Sequence, residues 1–210
     1  MGPDRKVLLA TRSKGKLREL HGILASAGLE GVTLDDAGIA ESAEEEHIEI
    51  FDTFEENALA KARYFHRRSR MPTMADDSGL SVRALGGAPG VYSKRYSARD
   101  DLSGQDLDDA NNAKLVNGLR ESSDTSASYS CAAAFVDDKG ELVAMGETHG
   151  RVIDEPRGSE GFGYDPFFFS TELGKTFGEA TVEEKEAVSH RGRAFRKLVH
   201  ALRESGRILV

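Results

Sequence analysis

Short apolar runs alternate along this chain with segments of helical periodicity, and this alternation limits the folds that the chain can adopt. The run "KVLLAT" is typical of a buried strand. The segment after it repeats apolar residues at helical spacing, at Leu17, Leu20, Ile23, Leu24 and Ala27. "DTFEENALAKARYF", with Asp52 or Thr53 as a candidate cap, predicts a second helix, and a third is predicted from about Gln105 to Leu119. Strands that alternate with helices are typical of an α/β fold.

The second half of the chain adds a predicted hairpin. The β-type runs "ASYSCAAAFVDD" and "ELVAMGETHGRVID" are joined through Lys139-Gly140. A glycine-rich turn and an aromatic strand follow in "GFGYDPFFF", and a capping box from Thr181 to Glu184 precedes the last helix. Together these patterns predict an α/β fold with a mixed β-sheet. Because 39% of the 210 residues are hydrophobic, the chain can form one well-packed core, and we expect a single domain over residues 1–210.

Composition excludes several classes of partner. The net charge of −8 disfavours long nucleic acid, which requires a broad basic surface, but it allows a small anionic ligand where a few Lys and Arg converge. The single cysteine, Cys131, lies in the apolar run "CAAAF" and is interpreted as a buried structural thiol. No apolar run is long enough to span a bilayer and the N-terminus has no extended apolar segment, so we expect no membrane partner and a cytoplasmic location.

The segment "ATRSKGK" leads from the first predicted strand into the first predicted helix. Free backbone N–H groups at such a helix start attract phosphate, and Lys14, Gly15 and Lys16 strengthen the pattern. The spacing of a Walker A loop is absent. Taken alone, the segment fits an ordinary strand–helix turn with solvated lysines better than it fits a binding site.

Two adjacent carboxylates, Asp76 and Asp77, follow the stretch "PTMA", which predicts a short strand leading into a loop. Like charges side by side repel, so their presence needs a reason. Mg²⁺ takes carboxylate oxygens and shares its remaining ligands with phosphate and water, and an upstream acidic residue such as Glu49 would complete the set. An exposed loop in which one Asp caps a turn remains an alternative. The acidic, aperiodic stretch "ESAEEEHIE" around Glu49 is itself expected to be a loop.

The turn "GFGYDP" offers a second set of candidate ligand contacts. Gly161 and Gly163 allow the backbone to approach a ligand closely, although the pattern G-x-G-x-x-G is not completed. Phe162 and Tyr164 are candidates to stack on a flat base. Packing of Phe162 in the core explains the same sequence without any ligand.

The segment "SHRGRAF" predicts a helix start with polar side chains. Ser189 is a candidate cap, which places His190 and Arg191 in the first helical turn, where anions or polar acceptors are favoured. An exposed His at a helix start is the simpler alternative for His190.

Five segments, in order, match one known family: "ATRSKGKLREL", "TFEENALAKA", "ADDSGLSVRALGGAPGVYSKRY", "GFGYDPFFF" and "EEKEAVSHRGRAFRKL". They extend from residue 10 to residue 198, and the chain therefore resembles the inosine triphosphate pyrophosphatase family. These enzymes hydrolyse the noncanonical purine nucleotides ITP, dITP and XTP to the monophosphate and pyrophosphate, which keeps deaminated purines out of DNA and RNA. The resemblance implies an elongated, two-lobed α/β structure around a long mixed sheet with the active cleft between the lobes, dependence on Mg²⁺, and a homodimer.

The resemblance also implies residue roles. Asp77 corresponds to the general base and a metal ligand, and Asp76 and Glu49 correspond to further metal ligands. Glu44, Glu45 and Glu46 are rivals of Glu49, because the Thr-Gly usual after the metal-binding Glu is missing. The substrate-binding positions, with phosphate contacts at three of the lysines (16, 61 and 185), are Thr11, Arg12, Ser13, Lys14, Gly15, Lys16, Asn57, Lys61, Ser78, Phe162, Gly163, Tyr164, Asp165, Lys185, His190 and Arg191. Ser13 replaces the usual Asn, and since a hydroxyl still donates to phosphate we expect altered affinity rather than lost activity.

Two alternatives come from other classes. A pyrophosphatase of the Maf type would act on modified pyrimidine nucleotides, and "SHRG" and "GFGYD" argue against it. A noncatalytic nucleotide-binding module is disfavoured by the acidic charge and by the paired Asp residues. Within the favoured interpretation, His190 and Arg191 present donors to the 6-keto oxygen of hypoxanthine, which adenine lacks. That hypothesis predicts that Arg191→Ala reduces kcat/KM for ITP more than for ATP.

Overall fold

The computed structural model describes residues 5–207. Its strands and helices are, in chain order, β1 (Lys6–Leu9), α1 (Lys14–Ser26), β2 (Glu30–Val32), α2 (Phe54–Ser69), β3 (Thr73–Val82), α3 (Gly104–Leu119), β4 (Ser126–Asp137), β5 (Gly140–Val152), β6 (Phe168–Ser170), β7 (Lys175–Thr176), α4 (Val182–Val188) and α5 (His190–Glu204). Short 3₁₀ helices cover Ala43–His47, Arg83–Leu85 and Gly90–Arg95. Across residues 5–207, no helix is both long enough and apolar enough to cross a lipid bilayer.

The seven strands form one sheet in the order β2-β1-β3-β4-β5-β6-β7. Strand β1 runs parallel to β2 and to β3, with Leu8 opposite Thr73 in the second pair. Strand β6 runs antiparallel to β5 and β7, with Phe168 opposite Val152. The predicted mixed α/β sheet is therefore confirmed.

The chain divides into two compact units. Of the described residues, 5–77, 131–146 and 191–207 belong to the first unit, and 78–130 and 147–190 belong to the second. Strands β3, β4 and β5 contribute residues to both. The expectation of a single domain over residues 1–210 stays a prediction.

Alternation along β1 builds the core of the first unit. Val7 and Leu9 pack in one cluster with apolar residues of α1 and α5, and Leu8 packs in another cluster with Ala58 and Phe65 of α2. Successive strand residues point to opposite faces of a sheet, so this strand supplies side chains to both clusters.

The core of the second unit is aromatic. Phe168 packs its ring against Tyr129 at a centroid distance of 4.8 Å and against Phe177 at 5.0 Å. Leu80 of β3 and Leu115 of α3 complete the same cluster. The aromatic strand predicted from "GFGYDPFFF" is thus β6, with Phe168 fully buried.

Two predicted helix caps are confirmed, those of α2 and α4. Thr53 accepts a hydrogen bond from Glu56 N at the start of α2, and Thr181 forms a full capping box with Glu184 at the start of α4. The predicted loop "ESAEEEHIE" is corrected in part, because Ala43–His47 is a 3₁₀ helix with a capping box between Ser42 and Glu45.

Candidate active site

Asp76 and Asp77 lie inside strand β3, and the predicted loop at this position is wrong. The strand continues to Val82, and every residue from 73 to 77 is buried. Sequence polarity suggested a strand end, because a carboxylate rarely lies in a buried strand unless charged partners compensate it. Successive side chains of a strand point to opposite faces, so the two carboxylates have different surroundings.

Asp76 is compensated by cations of the chain itself. Its Oδ2 lies 3.0 Å from Lys16 Nζ and 3.1 Å from Arg191 Nε, and the second carboxylate on Arg191 is that of Glu19. Burial opposes ionisation of Asp76, but the charges of Lys16 and Arg191 outweigh it and hold the pKa of Asp76 well below its usual range. The repulsion expected from two adjacent Asp residues is therefore relieved on this side by Lys16 and Arg191.

Asp77 has a different environment. The residue is 8% exposed. Its Oδ2 accepts a hydrogen bond of 2.9 Å from Asn57 Nδ2 of α2. Burial raises the pKa of Asp77, the charge of Glu49 raises it further, and Lys61 and Lys16 oppose both effects without cancelling them. A buried carboxylate with a raised pKa beside two lysines is suited to accept a proton.

Glu49 is the upstream acidic residue coupled to Asp77. Its carboxylate forms an ion pair with Lys61, and the charges of Lys61 and Lys16 hold the pKa of Glu49 below its usual value despite burial. Two of its sequence rivals are engaged elsewhere, because Arg12 binds both carboxylate oxygens of Glu45, at 2.8 and 2.7 Å, and Glu44 accepts from Tyr64 Oη. This geometry supports Glu49 over Glu44 and Glu45.

Helix α2 presents Asn57 and Lys61 on one buried face, as their spacing of four residues predicted. Besides its bond to Asp77, the Asn57 amide accepts from Phe51 N at 2.9 Å and donates to Phe51 O at 3.1 Å. Asn57 therefore holds both the Asp77 carboxylate and the backbone at Phe51, two residues after Glu49.

The loop before α1 is built as a helix start. Ser13 caps α1 by accepting from Lys16 N, and Thr11 Oγ1 accepts from Ser13 N at 3.2 Å. Lys14 and Gly15 open the helix, and Lys14 is exposed. A cavity of about 220 Å³ borders this loop, lined in part by Thr11, Arg12, Lys14 and Asp35. The Arg12 guanidinium itself is bound by Glu45, which favours a structural role for that side chain.

The predicted three-carboxylate metal set is not preassembled. Within residues 5–207, no group of three or more His, Cys, Asp or Glu side chains is placed to hold a metal ion. The three carboxylates are nevertheless coupled by charge, because Glu49 raises the pKa of Asp77 and Asp76 in turn opposes the ionisation of Glu49. Asp76 is itself bound by Lys16 and Arg191.

In the second unit, Asp165 organises the turn "GFGYDP". Its buried carboxylate accepts from Phe162 N at 2.7 Å and forms an ion pair of 2.6 Å with Lys185 Nζ. Gly161 has a φ of +79°, and a Cβ added there would lie 2.1 Å from Asp165 Oδ2, so this position requires glycine. Lys185, predicted to contact phosphate, is thus committed to Asp165.

The two aromatic residues of the turn differ. Tyr164 is 4% exposed and its hydroxyl donates to Ser93 O at 2.8 Å, so the interpretation that its ring stacks on a base is corrected: the ring belongs to the core. Phe162 is half-buried, with Lys185 Nζ 5.1 Å from its ring centroid. Phe162 therefore remains the stacking candidate.

His190 and Arg191 open α5 as predicted, but both are buried. The His190 ring stacks on Tyr129 at a centroid distance of 4.5 Å. Arg191 is 2% exposed and bound by Asp76 and Glu19, so the hypothesis that its guanidinium reads a purine has no support in this geometry. Ser78, half-buried in β3, directly follows Asp77.

Sequence reasoning missed three residues that organise these groups. Glu19 binds Arg191, and Asp108 and Asn112 of α3 bind the backbone of Gly163. Glu19 carried a weak signal, because it lies three residues after Lys16 on the same helix. The partners of Asp108 and Asn112 are more than 50 residues away in the chain, and helical periodicity gives no sign of them.

Known proteins resemble this chain over nearly its whole length in sequence and in structure. A curated protein of Ralstonia nicotianae named dITP/XTP pyrophosphatase is 48% identical over 202 residues, covering 95% of this chain and 97% of the relative. The solved structure of a HAM1 protein from Coxiella burnetii has a TM-score of 0.80 at 34% identity, covering 95% of this chain and 98% of that one. A nucleoside-triphosphatase (dITP/XTP pyrophosphatase) from Mycobacterium abscessus has a TM-score of 0.68 at 41% identity, covering 92% and 98%. The model of the Ham1 family matches residues 7–201, so this chain belongs to the Ham1 family.

Proposed function

We propose that this protein is a nucleoside-triphosphate pyrophosphatase that hydrolyses noncanonical purine nucleotides such as ITP, dITP and XTP to the monophosphate and pyrophosphate. Relatives at 43–48% identity that cover nearly the whole chain carry the name dITP/XTP pyrophosphatase. The observation that carries the proposal is the buried Asp77 carboxylate, hydrogen-bonded by Asn57 and flanked by Lys16 and Lys61. A proton acceptor beside cations is what hydrolysis of a phosphoanhydride needs.

Each side chain of the first unit then has a role. Asp77 takes a proton from the attacking water, and Asn57 holds the carboxylate in the orientation that receives it. Lys16 and Lys61 supply positive charge to the phosphate oxygens, and Asp76 with Arg191 fixes the position of Lys16. The first residues of α1, Lys14 and Gly15, offer backbone N–H groups to phosphate, whereas the N–H groups of Thr11 and Ser13 donate within the loop.

The cofactor we propose is Mg²⁺, held by Asp77 and Glu49. The donor set fits, since both groups supply the hard carboxylate oxygens that Mg²⁺ prefers, and two carboxylates are sufficient when substrate phosphates provide further ligands. Burial and, to a smaller extent, the charge of Glu49 raise the pKa of Asp77, and a cation near this pair relieves both effects. When bound, Mg²⁺ neutralises charge on the phosphate oxygens and makes a bound water more acidic. Asp76 is left out of this metal pair, because its charge is already compensated by Lys16 and Arg191.

For the base we assign the turn of the second unit. The Phe162 ring supplies stacking, which gives affinity without reading the base. Asp165 holds the backbone of this turn through Phe162 N and is itself held by Lys185. His190, stacked on Tyr129, supplies a polar ring nitrogen as a candidate contact.

A panel of nucleoside triphosphates tests the function. Purified protein with Mg²⁺ should convert ITP, dITP and XTP faster than ATP and GTP, with the monophosphate and pyrophosphate as products. Preference for modified pyrimidines would favour the Maf-type alternative, and binding of ITP without turnover would favour a noncatalytic module. Release of orthophosphate with a diphosphate left behind would contradict the proposed bond cleavage.

We also propose a homodimer on the family resemblance alone. Tyr92, in the 3₁₀ helix Gly90–Arg95, is 51% exposed. Light scattering at micromolar concentration tests this proposal, and a monomer would contradict it.

A further inference from the structure

Helix α3 holds both backbone polar groups of one glycine in the turn "GFGYDP". The Asp108 carboxylate accepts a hydrogen bond of 2.9 Å from Gly163 N, and Asn112 Nδ2 donates one of 2.9 Å to Gly163 O. Asp108 and Asn112 are four residues apart, so they project from the same face of the helix. This pair therefore fixes the position and the orientation of the backbone at Gly163.

The residues on each side of Gly163 are held as well. Phe162 N donates to the Asp165 carboxylate, and the Tyr164 hydroxyl donates to Ser93 O. Three consecutive residues, Phe162, Gly163 and Tyr164, are thus held by hydrogen bonds to side chains or to a distant backbone carbonyl. The Phe162 ring projects from a segment whose main chain has little freedom to rotate.

The same helix also holds the segment that supplies Ser93. Asn111 Oδ1 accepts from Ser97 N at 2.7 Å, and Asn111 Nδ2 donates to Lys94 O at 3.1 Å. Two neighbouring asparagines of α3 therefore bind two separate segments of the second unit. Through these bonds, α3 acts as a common support for the turn and for the 3₁₀ helix Gly90–Arg95.

Asp108 and Asn112 are expected to lower the free energy of unfolding. Asn112 is 5% exposed, and its Oδ1 has no hydrogen-bond partner among residues 5–207. Burial raises the pKa of Asp108, so its ionised form is also disfavoured. Unsatisfied or desolvated polar groups reduce stability, and an apolar residue at either position would avoid that cost. Stability alone does not account for the pair.

We infer that Asp108 and Asn112 are positioning residues for the purine base, because they fix Gly163 and thereby hold the Phe162 ring in the orientation that stacks on the base. The inference rests on the proposed function and deepens it. It adds to the site two residues of α3 that act only through the backbone of the turn.

Kinetics of Asp108→Ala test the inference against a matched control, Asp109→Ala. Asp109 is the next residue of the same helix, is exposed, and contacts only Gln105 among its described hydrogen bonds. For Asp108→Ala we expect KM for ITP to rise about 5- to 10-fold with kcat changed by less than about twofold, because the phosphate-handling residues lie on other elements. Asp108→Asn should recover most of the loss, since an amide oxygen still accepts from Gly163 N.

Two further measurements separate positioning from general destabilisation. Asp108 and Asn112 bind the same glycine. In the double variant, the increase in KM should therefore be smaller than the product of the increases in Asp108→Ala and Asn112→Ala. Amide hydrogen exchange over residues 161–165 should accelerate in Asp108→Ala and stay unchanged in Asp109→Ala.

The outcomes are distinguishable. If the wild-type protein hydrolyses ITP and folded Asp108→Ala keeps the wild-type KM, the positioning inference alone is lost. Equal effects of Asp108→Ala and Asp109→Ala would also overturn it, because only Asp108 binds Gly163. If the wild-type protein hydrolyses no purine triphosphate, the proposed function fails and the inference fails with it.

Discussion

Asn57 and Asp77 are joined by a hydrogen bond of 2.9 Å between the amide nitrogen of the first and a carboxylate oxygen of the second. Asn57 is fully buried and also binds both backbone groups of Phe51. The amide is therefore locked in one orientation by three hydrogen bonds. Because the amide is locked, it fixes the direction in which the Asp77 carboxylate presents its oxygens.

Asp77→Asn should nearly abolish turnover while the fold survives. The substitution keeps the shape of the side chain and removes the proton acceptor and its charge. Loss of a general base costs about 10²- to 10⁴-fold in kcat. Steady-state kinetics on ITP measure the loss, with Asp138→Asn as control, because that side chain is 91% exposed. A folded Asp77→Asn protein that keeps most of its rate would show that Asp77 is not the base.

Asn57→Ala should reduce both stability and activity. It leaves buried groups of Phe51 and Asp77 without their partner, which costs about 1–3 kcal/mol in the free energy of unfolding. For a chain of this size, Tm should fall by about 2–4 °C for each kcal/mol. Thermal unfolding measures the first effect and kcat for ITP the second. Asn117→Ala, at an exposed position of α3, should change neither.

The sequence predicted most helices and strands because their apolar periodicity is strong. Helix α3 begins at Gly104, one residue from the predicted start, and the strands flanking Lys139-Gly140 are neighbours in the sheet. Strands β2 and β7, of three and two residues, were missed. Such short strands carry no measurable periodicity and form only because a neighbouring strand offers hydrogen-bonding partners.

The candidate site was predicted in its residues but not in its arrangement. Motif positions named Asp76 and Arg191, whereas their ion pair joins residues 115 positions apart. A sequence pattern without geometry does not reveal that Asp76 forms ion pairs with Lys16 and Arg191. For the same reason, the sequence gives no sign that the Arg191 guanidinium, a candidate to contact the purine, is bound by the carboxylates of Asp76 and Glu19.

Arg191→Ala should destabilise the protein strongly. It leaves the fully buried carboxylate of Asp76 and the partly exposed carboxylate of Glu19 without this partner, and breaking a buried ion pair costs about 3–5 kcal/mol. Urea unfolding measures the change, and Arg203→Ala, an exposed position of the same helix, should have little effect.

Arg191→Lys separates structure from base reading, because it keeps the charge and loses the second contact. We expect a folded protein with lower stability and an unchanged ratio of kcat/KM for ITP over ATP. A ratio that shrinks in this variant would restore the hypothesis that Arg191 reads the base.

Chelation with EDTA should abolish hydrolysis of ITP, and excess Mg²⁺ should restore it. If Glu49 and Asp77 hold the metal, Glu49→Gln should raise the Mg²⁺ concentration for half-maximal rate by about tenfold, since affinity follows the charge of the ligands. Glu46→Gln is the matched control, because Glu46 is an exposed residue three positions away. A larger effect at Glu46 than at Glu49 would transfer the metal assignment to the rival residue.

Gly161→Ala should damage the turn that carries Phe162, and Gly174→Ala provides a matched control. Both glycines have positive φ, +79° and +67°, so both substitutions incur the same kind of backbone strain, about 1–2 kcal/mol. The two positions differ in the room available for an added Cβ. A Cβ at Gly161 would lie 2.1 Å from the Asp165 carboxylate, whereas nothing lies within 4 Å of a Cβ at Gly174.

Relief of that collision requires the Asp165 carboxylate to move away from Phe162 N and from Lys185 Nζ, both of which it binds. We therefore expect Gly161→Ala to lose more stability than Gly174→Ala by at least about 1 kcal/mol, the worth of one hydrogen bond, and to raise KM for ITP. Gly174→Ala should leave KM unchanged. Urea unfolding and steady-state kinetics of the two variants give both comparisons, and equal losses in the pair would mean that the turn adapts to the added methyl group without displacing Asp165.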